Sequence, residues 1–112
     1  MIKRKQKGAR AEREFSSFVK EYFQVDSRRG VQYQGSPDSP DIVCNIPNLH
    51  FEVKHVEKLN IYNAMTQASE DASADQIPVV AHRRNHYDWL ITIKASDINK
   101  FIESIGKIIP NV

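Results

Sequence analysis

The stretch that most restricts what this chain can fold into is Leu49-His50-Phe51-Glu52-Val53-Lys54-His55-Val56, where apolar and ionisable residues alternate. Successive side chains of a strand point to opposite faces, so Leu49, Phe51 and Val53 share one face while His50, Glu52 and Lys54 share the other. The pattern predicts a strand with its apolar face on the core and its polar face given to chemistry. An ordinary half-buried strand alternates in the same way, so this stretch alone leaves both readings open.

Upstream lies Gly35-Ser36-Pro37-Asp38-Ser39-Pro40-Asp41-Ile42-Val43-Cys44. Pro37 and Pro40 each hold the preceding residue extended, and Asp41 is the last polar residue before an apolar run that reads as a short strand. Asp38 sits in a Pro-Asp step of its own, but only Asp41 abuts the Ile42-Val43 pair. Asn45-Ile46-Pro47-Asn48 is a tight connection, which predicts antiparallel neighbours and brings Asp41 beside Glu52. Two carboxylates brought together repel unless one keeps its proton or a cation lies between them. Hard oxygen donors of this kind suit Mg2+ or Mn2+.

The remaining periodicities predict a helix over 8–23 with Ala11, Phe15, Phe18, Val19 and Tyr22 as its apolar stripe. Glu12 lies at the edge of that stripe, as a site residue or as an acid favoured by the helix dipole, and Glu14 reads as a solvated surface charge. A short strand over 24–29 and a polar loop over 30–39 follow. Asn60 is placed to cap a second helix reaching to about Ser73, with Ile61, Met65, Ala68 and Ala72 packed. Strands over 77–81 and 89–93 and a final helix capped by Ser96-Asp97 complete the order αβββαββα. The expected class is α/β, a central mixed β-sheet flanked by helices.

Pro40-Asp41 followed by Glu52-Val53-Lys54 resembles the signature of the PD-(D/E)XK nuclease superfamily. Lys7-Gly8-Ala9-Arg10-Ala11-Glu12-Arg13-Glu14 is similar to the opening helix of archaeal-type Holliday junction resolvases and their bacteriophage relatives. The resemblance implies a restriction-endonuclease-like core and a metal-dependent DNA endonuclease that resolves four-way junctions by paired phosphodiester hydrolysis. It implies a metal site of Glu12, Asp41, Glu52 and the Val53 carbonyl holding Mg2+, for which Mn2+ can substitute. Lys54 would act on the nucleophile or the phosphoryl charge, Gln67 would help position the site, and Ser36 or Ser39 would lie near it. Branched DNA is the implied partner. A homodimer is expected, because a four-way junction has two-fold symmetry and needs paired cuts. Trp89, Phe101 and the segment 102–109 read as core or as the dimer interface. The run His82-Arg83-Arg84-Asn85 before Trp89-Leu90-Ile91-Thr92 is like that of phage relatives, implying a viral recombination or DNA-packaging role and, for a phage-encoded chain, the host-cell cytoplasm. A related nuclease acting on flaps, breaks or duplex, and a non-catalytic DNA-binding module, remain open alternatives.

Charge and composition fit that picture. With 112 residues the chain reads as one domain, and its single cysteine excludes an internal disulfide and a zinc–cysteine cluster. No apolar run is long enough for a membrane span, and the reading is a cytosolic protein with no membrane partner. The net charge is only +2, yet Lys3, Arg4, Lys5, Lys7, Arg10 and Arg13 crowd the first turns, with residues 1–7 as a basic arm. Such a run is either a solvated tail or a phosphate-backbone contact, joined by Arg28, Arg29, Arg83 and Arg84. His50, His55, His82 and His86 lack the spacing of a helical metal site and read as surface or DNA-facing residues.

Overall fold

The line Ala11, Phe15, Val19 recurs every four residues and puts three apolar side chains on one flank of the first helix, where a sheet can close over them. A computed structural model describes residues 4–30 and 40–106, with the side chains of residues 4–7 left outside the description. Lys3, Ser36, Asp38, Ser39 and residues 107–112 lie outside the described residues, as do the side chains of Arg4, Lys5 and Lys7.

The elements are α1 (Arg4–Phe23), β1 (Ser27–Arg29), β2 (Ile42–Cys44), β3 (Leu49–His55), α2 (Ile61–Asp71), β4 (Ile77–Arg83), β5 (Leu90–Thr92) and α3 (Ile98–Gly106), which a 3-10 turn, Ala95–Asp97, precedes. The five strands form one sheet in the order β1-β2-β3-β4-β5. Among the described strands only β3 and β4 run parallel, with α2 as the crossover between them, so the sheet is mixed. The expected element order and the mixed α/β class are both present.

Boundaries moved for local reasons. α1 starts at Arg4 rather than Gly8. Lysine, arginine and glutamine are good helix formers, and an interior glycine costs only about 1 kcal/mol. β1 starts at Ser27 rather than Gln24, because Gln24 adopts a left-handed φ of 57° that turns the chain out of the helix. β4 runs on to Arg83, two residues past Ala81, since its pairing with β3 continues through His55. Asn48, at φ 65°, closes the β2–β3 connection in a conformation that asparagine tolerates better than most residues, and its carbonyl accepts the N–H of Ile77 at 2.7 Å. Asn60 caps α2 as expected, its side chain accepting the Asn63 N–H at 3.1 Å.

The sheet is covered on both faces. Ala11, Phe15 and Val19 pack with Ile42, Phe51, Val53, Val79 and Ala81 on one side, where Phe101 and Ile105 of α3 and Trp89 join them. Val80, which points the other way from Val79, packs with Ala64 and Ala68 of α2. Ala64 belongs to that contact together with the expected Ala68, Ile61 and Met65. Tyr22 falls off the α1 stripe and is 65% exposed, its ring 4.5 Å from that of Phe18.

Coverage on both faces corrects the surface reading of His50. On the polar face of β3 His50 is fully buried and Glu52 is 6% exposed. A central strand with a parallel neighbour and a crossover helix above it is buried on both sides, whatever its alternation. Among the described residues no helix is long and apolar enough to cross a membrane.

Phe15 sits at the centre of the α1 contact, its ring 5.0 Å from Trp89 and 5.6 Å from Phe51. Phe15→Ala is expected to lower the unfolding free energy by about 3–5 kcal/mol through lost burial and a cavity. The fluorescence of the single tryptophan, followed through urea unfolding, measures it; an unchanged midpoint would show that α1 is not docked through this ring.

Candidate functional site

Asp41 is placed by backbone on both sides. The β1–β2 ladder pairs Arg29 with Ile42, so Gly30 faces Asp41, and the Gly30 N–H donates to the Asp41 carbonyl at 2.7 Å. A side chain at position 30 would not fit: a Cβ there would lie 2.1 Å from the Pro40 carbonyl oxygen. On the other side Ile42 pairs with Phe51, which sets Asp41 opposite Glu52, and the Asp41 N–H donates to the Phe51 carbonyl at 2.9 Å. The Asp41 carboxylate then accepts the Val53 N–H at 2.8 Å.

Opposite residues of an antiparallel pair share a face, so Asp41, Glu52 and Lys54 lie together on the α2 side of the sheet. Burial pushes the Asp41 carboxyl up to about 7 from 3.8, the Glu52 charge adds to the rise, the Val53 N–H opposes it, and the Glu12 charge raises it again. Asp41 and Glu52 thus behave as two acids sharing a space that tolerates one negative charge. A hard divalent cation is the group that would relieve this, since it takes the place of the proton on Asp41 and accepts oxygen donors. The residues present fit such an ion in donor type. Among the described residues, however, no three His, Cys, Asp or Glu side chains are already gathered as a metal cage.

Glu52 has a partner that the histidine reading missed. His50, two residues before it on the same strand face, places Nε2 3.2 Å from Glu52 Oε1, and its buried Nδ1 has no hydrogen-bond partner among the described residues. His50 is therefore neither surface nor DNA-facing. The alternation of the strand already put it beside Glu52; only its burial was not legible. His82 bonds Thr92 at 2.8 Å and, half-buried, has its pKa lowered by desolvation, while His55 bonds Asn85 at 2.9 Å. His86 is exposed, with φ 69°.

Lys54 is half-buried, and its Nζ donates to Gln67 Oε1 of α2 at 3.4 Å, so these two side chains do meet. Glu12 comes from α1, and its Oε1 accepts a hydrogen bond from Arg29 Nε at 2.6 Å. Glu14 is not a solvated charge. Its Oε1 accepts from Arg83 Nη1 at 2.5 Å and from Trp89 Nε1 at 3.0 Å, with the Arg83 guanidinium 5.8 Å from the Trp89 ring centre. That turns Arg83 inward, with 24% of its side chain exposed. Arg10, Arg13 and Arg28 are exposed, and exposed Arg84 stacks over Tyr87 at 4.0 Å. No protein-family model matches the chain, and no curated protein matches it significantly.

Gly30→Ala is expected to cost about 1–3 kcal/mol, as overpacking does, because the carbonyl it meets is backbone and cannot swing aside. Chemical denaturation measures this; wild-type stability would mean that β1 does not hold Pro40-Asp41 so closely.

The raised Asp41 carboxyl sets a pH dependence. Between 3.8 and about 7 the folded chain holds a proton that the unfolded chain has lost, so metal-free stability falls as pH rises through that window and levels off above it. Unfolding in EDTA across a pH series is expected to show this slope, and Asp41→Asn to remove it. A wild-type slope retained in Asp41→Asn would assign the effect to another group.

Proposed function

We propose that the chain is a metal-dependent DNA endonuclease of the PD-(D/E)XK type, acting on four-way junctions as a homodimer. The observation that carries the reading is the facing pair Asp41 and Glu52 on neighbouring strands, with Lys54 on the same face and Asp41 pushed up to about 7. Such a pair is a poor structural choice for a buried strand, because burial of like charges destabilises the fold. It makes sense where a cation is to be held.

Asp41 and Glu52, with Glu12 and the Val53 carbonyl, are the groups that would hold Mg2+ or Mn2+. When bound, the ion polarises a phosphodiester oxygen and lowers the pKa of a water. The Val53 N–H keeps one Asp41 oxygen fixed, and His50 keeps Glu52 from swinging away from the sheet. Lys54, steered by Gln67, offers a positive charge to the phosphoryl oxygens as negative charge builds on them. The exposed Arg10, Arg13, Arg28 and Arg84 supply contacts for a polyanionic backbone, which position a duplex without reading its sequence.

Labelled four-way junction, flap and linear duplex incubated with Mg2+ provide the test. Paired, symmetric nicks on the junction are expected, abolished by EDTA and reduced about a hundred- to a thousandfold in Glu52→Ala, the scale seen when a key electrostatic group is removed. Cutting confined to flap or duplex would keep the active site and discard the junction role. Full activity in Glu52→Ala would overturn the assignment of the site to Asp41 and Glu52, and no metal-dependent cutting of any substrate would replace the nuclease by a DNA-binding module.

A further inference from the structure

Glu12, the carboxylate supplied by α1, is already engaged by a cation of the chain itself. The Arg29 Nε donor lies 2.6 Å from Glu12 Oε1, a charge-assisted contact, with side-chain exposures of 44% for Arg29 and 16% for Glu12. Arg29 stands on the edge strand β1, paired with Ile42, and the next residue is the glycine that holds the Asp41 carbonyl. Glu12 is close enough for its charge to be felt at Asp41. Arg29 therefore neutralises one carboxylate of the site from a position immediately beside it.

The contact uses only part of the guanidinium. Nε donates to Glu12, while among the described residues the two terminal nitrogens have no hydrogen-bonded protein partner, and the side chain is nearly half exposed. A planar fork of N–H donors is the group best suited to a phosphodiester oxygen pair. A half-exposed ion pair is also weak enough to exchange one anion for another.

We propose that Arg29 couples DNA-backbone binding to assembly of the cation site, an inference that rests on the metal-site reading given above. Without DNA, Arg29 serves as the counter-ion of Glu12 and competes with a divalent cation for that carboxylate. When a backbone phosphate reaches the β1 edge, the guanidinium transfers to it, and Glu12 is released to join Asp41 and Glu52. By linkage the effect is reciprocal: whatever factor DNA adds to cation affinity, the cation adds to DNA affinity. The cation site is thereby completed where a phosphate is present to be attacked.

Calorimetric titration of Ca2+, a hard cation with the same preference for oxygen donors, into the full chain tests this. Each titration is run alone and with a saturating short duplex. In the wild type the duplex is expected to raise Ca2+ affinity by about tenfold, in the usual range of coupling between two sites. Arg29→Gln is expected to bind Ca2+ more tightly than wild type without DNA and to lose most of the enhancement with it. Arg29→Lys keeps the charge but lacks the fork, and is expected to fall between the two; it also serves if the glutamine variant does not fold by circular dichroism. In Glu12→Gln the duplex is expected to have no effect on whatever Ca2+ affinity is left. Coupling of wild-type size in Arg29→Gln, or Ca2+ binding by the wild type that the duplex leaves unchanged, overturns the role of Arg29 and leaves the metal site standing. Absence of Ca2+ binding in the wild type under both conditions removes the metal site and this inference together.

Discussion

The Asp41 carboxylate on the Val53 N–H is the contact on which the rest of the site depends. It forms where β2 begins, so a side chain stands in for the backbone acceptor that would otherwise serve β3. With the Asp41 N–H and carbonyl also committed, to Phe51 and Gly30, the residue is tied to the strands on either side of it. Glu52 lies opposite by register and cannot move away, because β3 is held in turn by its parallel pairing with β4. Two acids are thus fixed face to face by the ladder.

α1 carries an acid on each side of its apolar line. Residues two apart on a helix point roughly 200° apart, so Glu12 and Glu14 reach in opposite directions around the helix. Glu12 meets Arg29 of β1 and Glu14 meets Arg83 of β4, while Ala11, Phe15 and Val19 pack between them. Neither pair is buried enough to stabilise the fold greatly. The packed apolar line sets the rotation of α1, which turns Glu12 toward β1 and Glu14 toward β4. The Trp89 N–H shares the Glu14 carboxylate with Arg83, which ties the chain leading into β5 to the same helix.

The arginines divide into two uses. Arg29 and Arg83 are spent on carboxylates of α1, whereas Arg10, Arg13, Arg28 and Arg84 face solvent. A net charge of only +2 conceals this, because it counts paired and free cations alike. The field offered to a polyanion is set by the exposed group, and Arg29 stands between the two uses, paired yet nearly half exposed.

What the sequence determined by itself was local and periodic. Alternation in 49–55 marked β3 and placed His50, Glu52 and Lys54 on one face; the tight turn before it put Asp41 opposite Glu52; Asn60 marked the start of α2. These follow from backbone geometry, which is set by neighbours in the chain. Tertiary structure alone decided that α2 would close over the polar face and bury His50, that Glu14 would find Arg83 and Trp89, that Arg29 would take Glu12, and that Gly30 would be pressed against Pro40. Periodicity says which side chains share a face, but not what covers that face. Partners 17 or 69 residues apart along the chain, as in the two α1 ion pairs, become neighbours only when helices and strands pack.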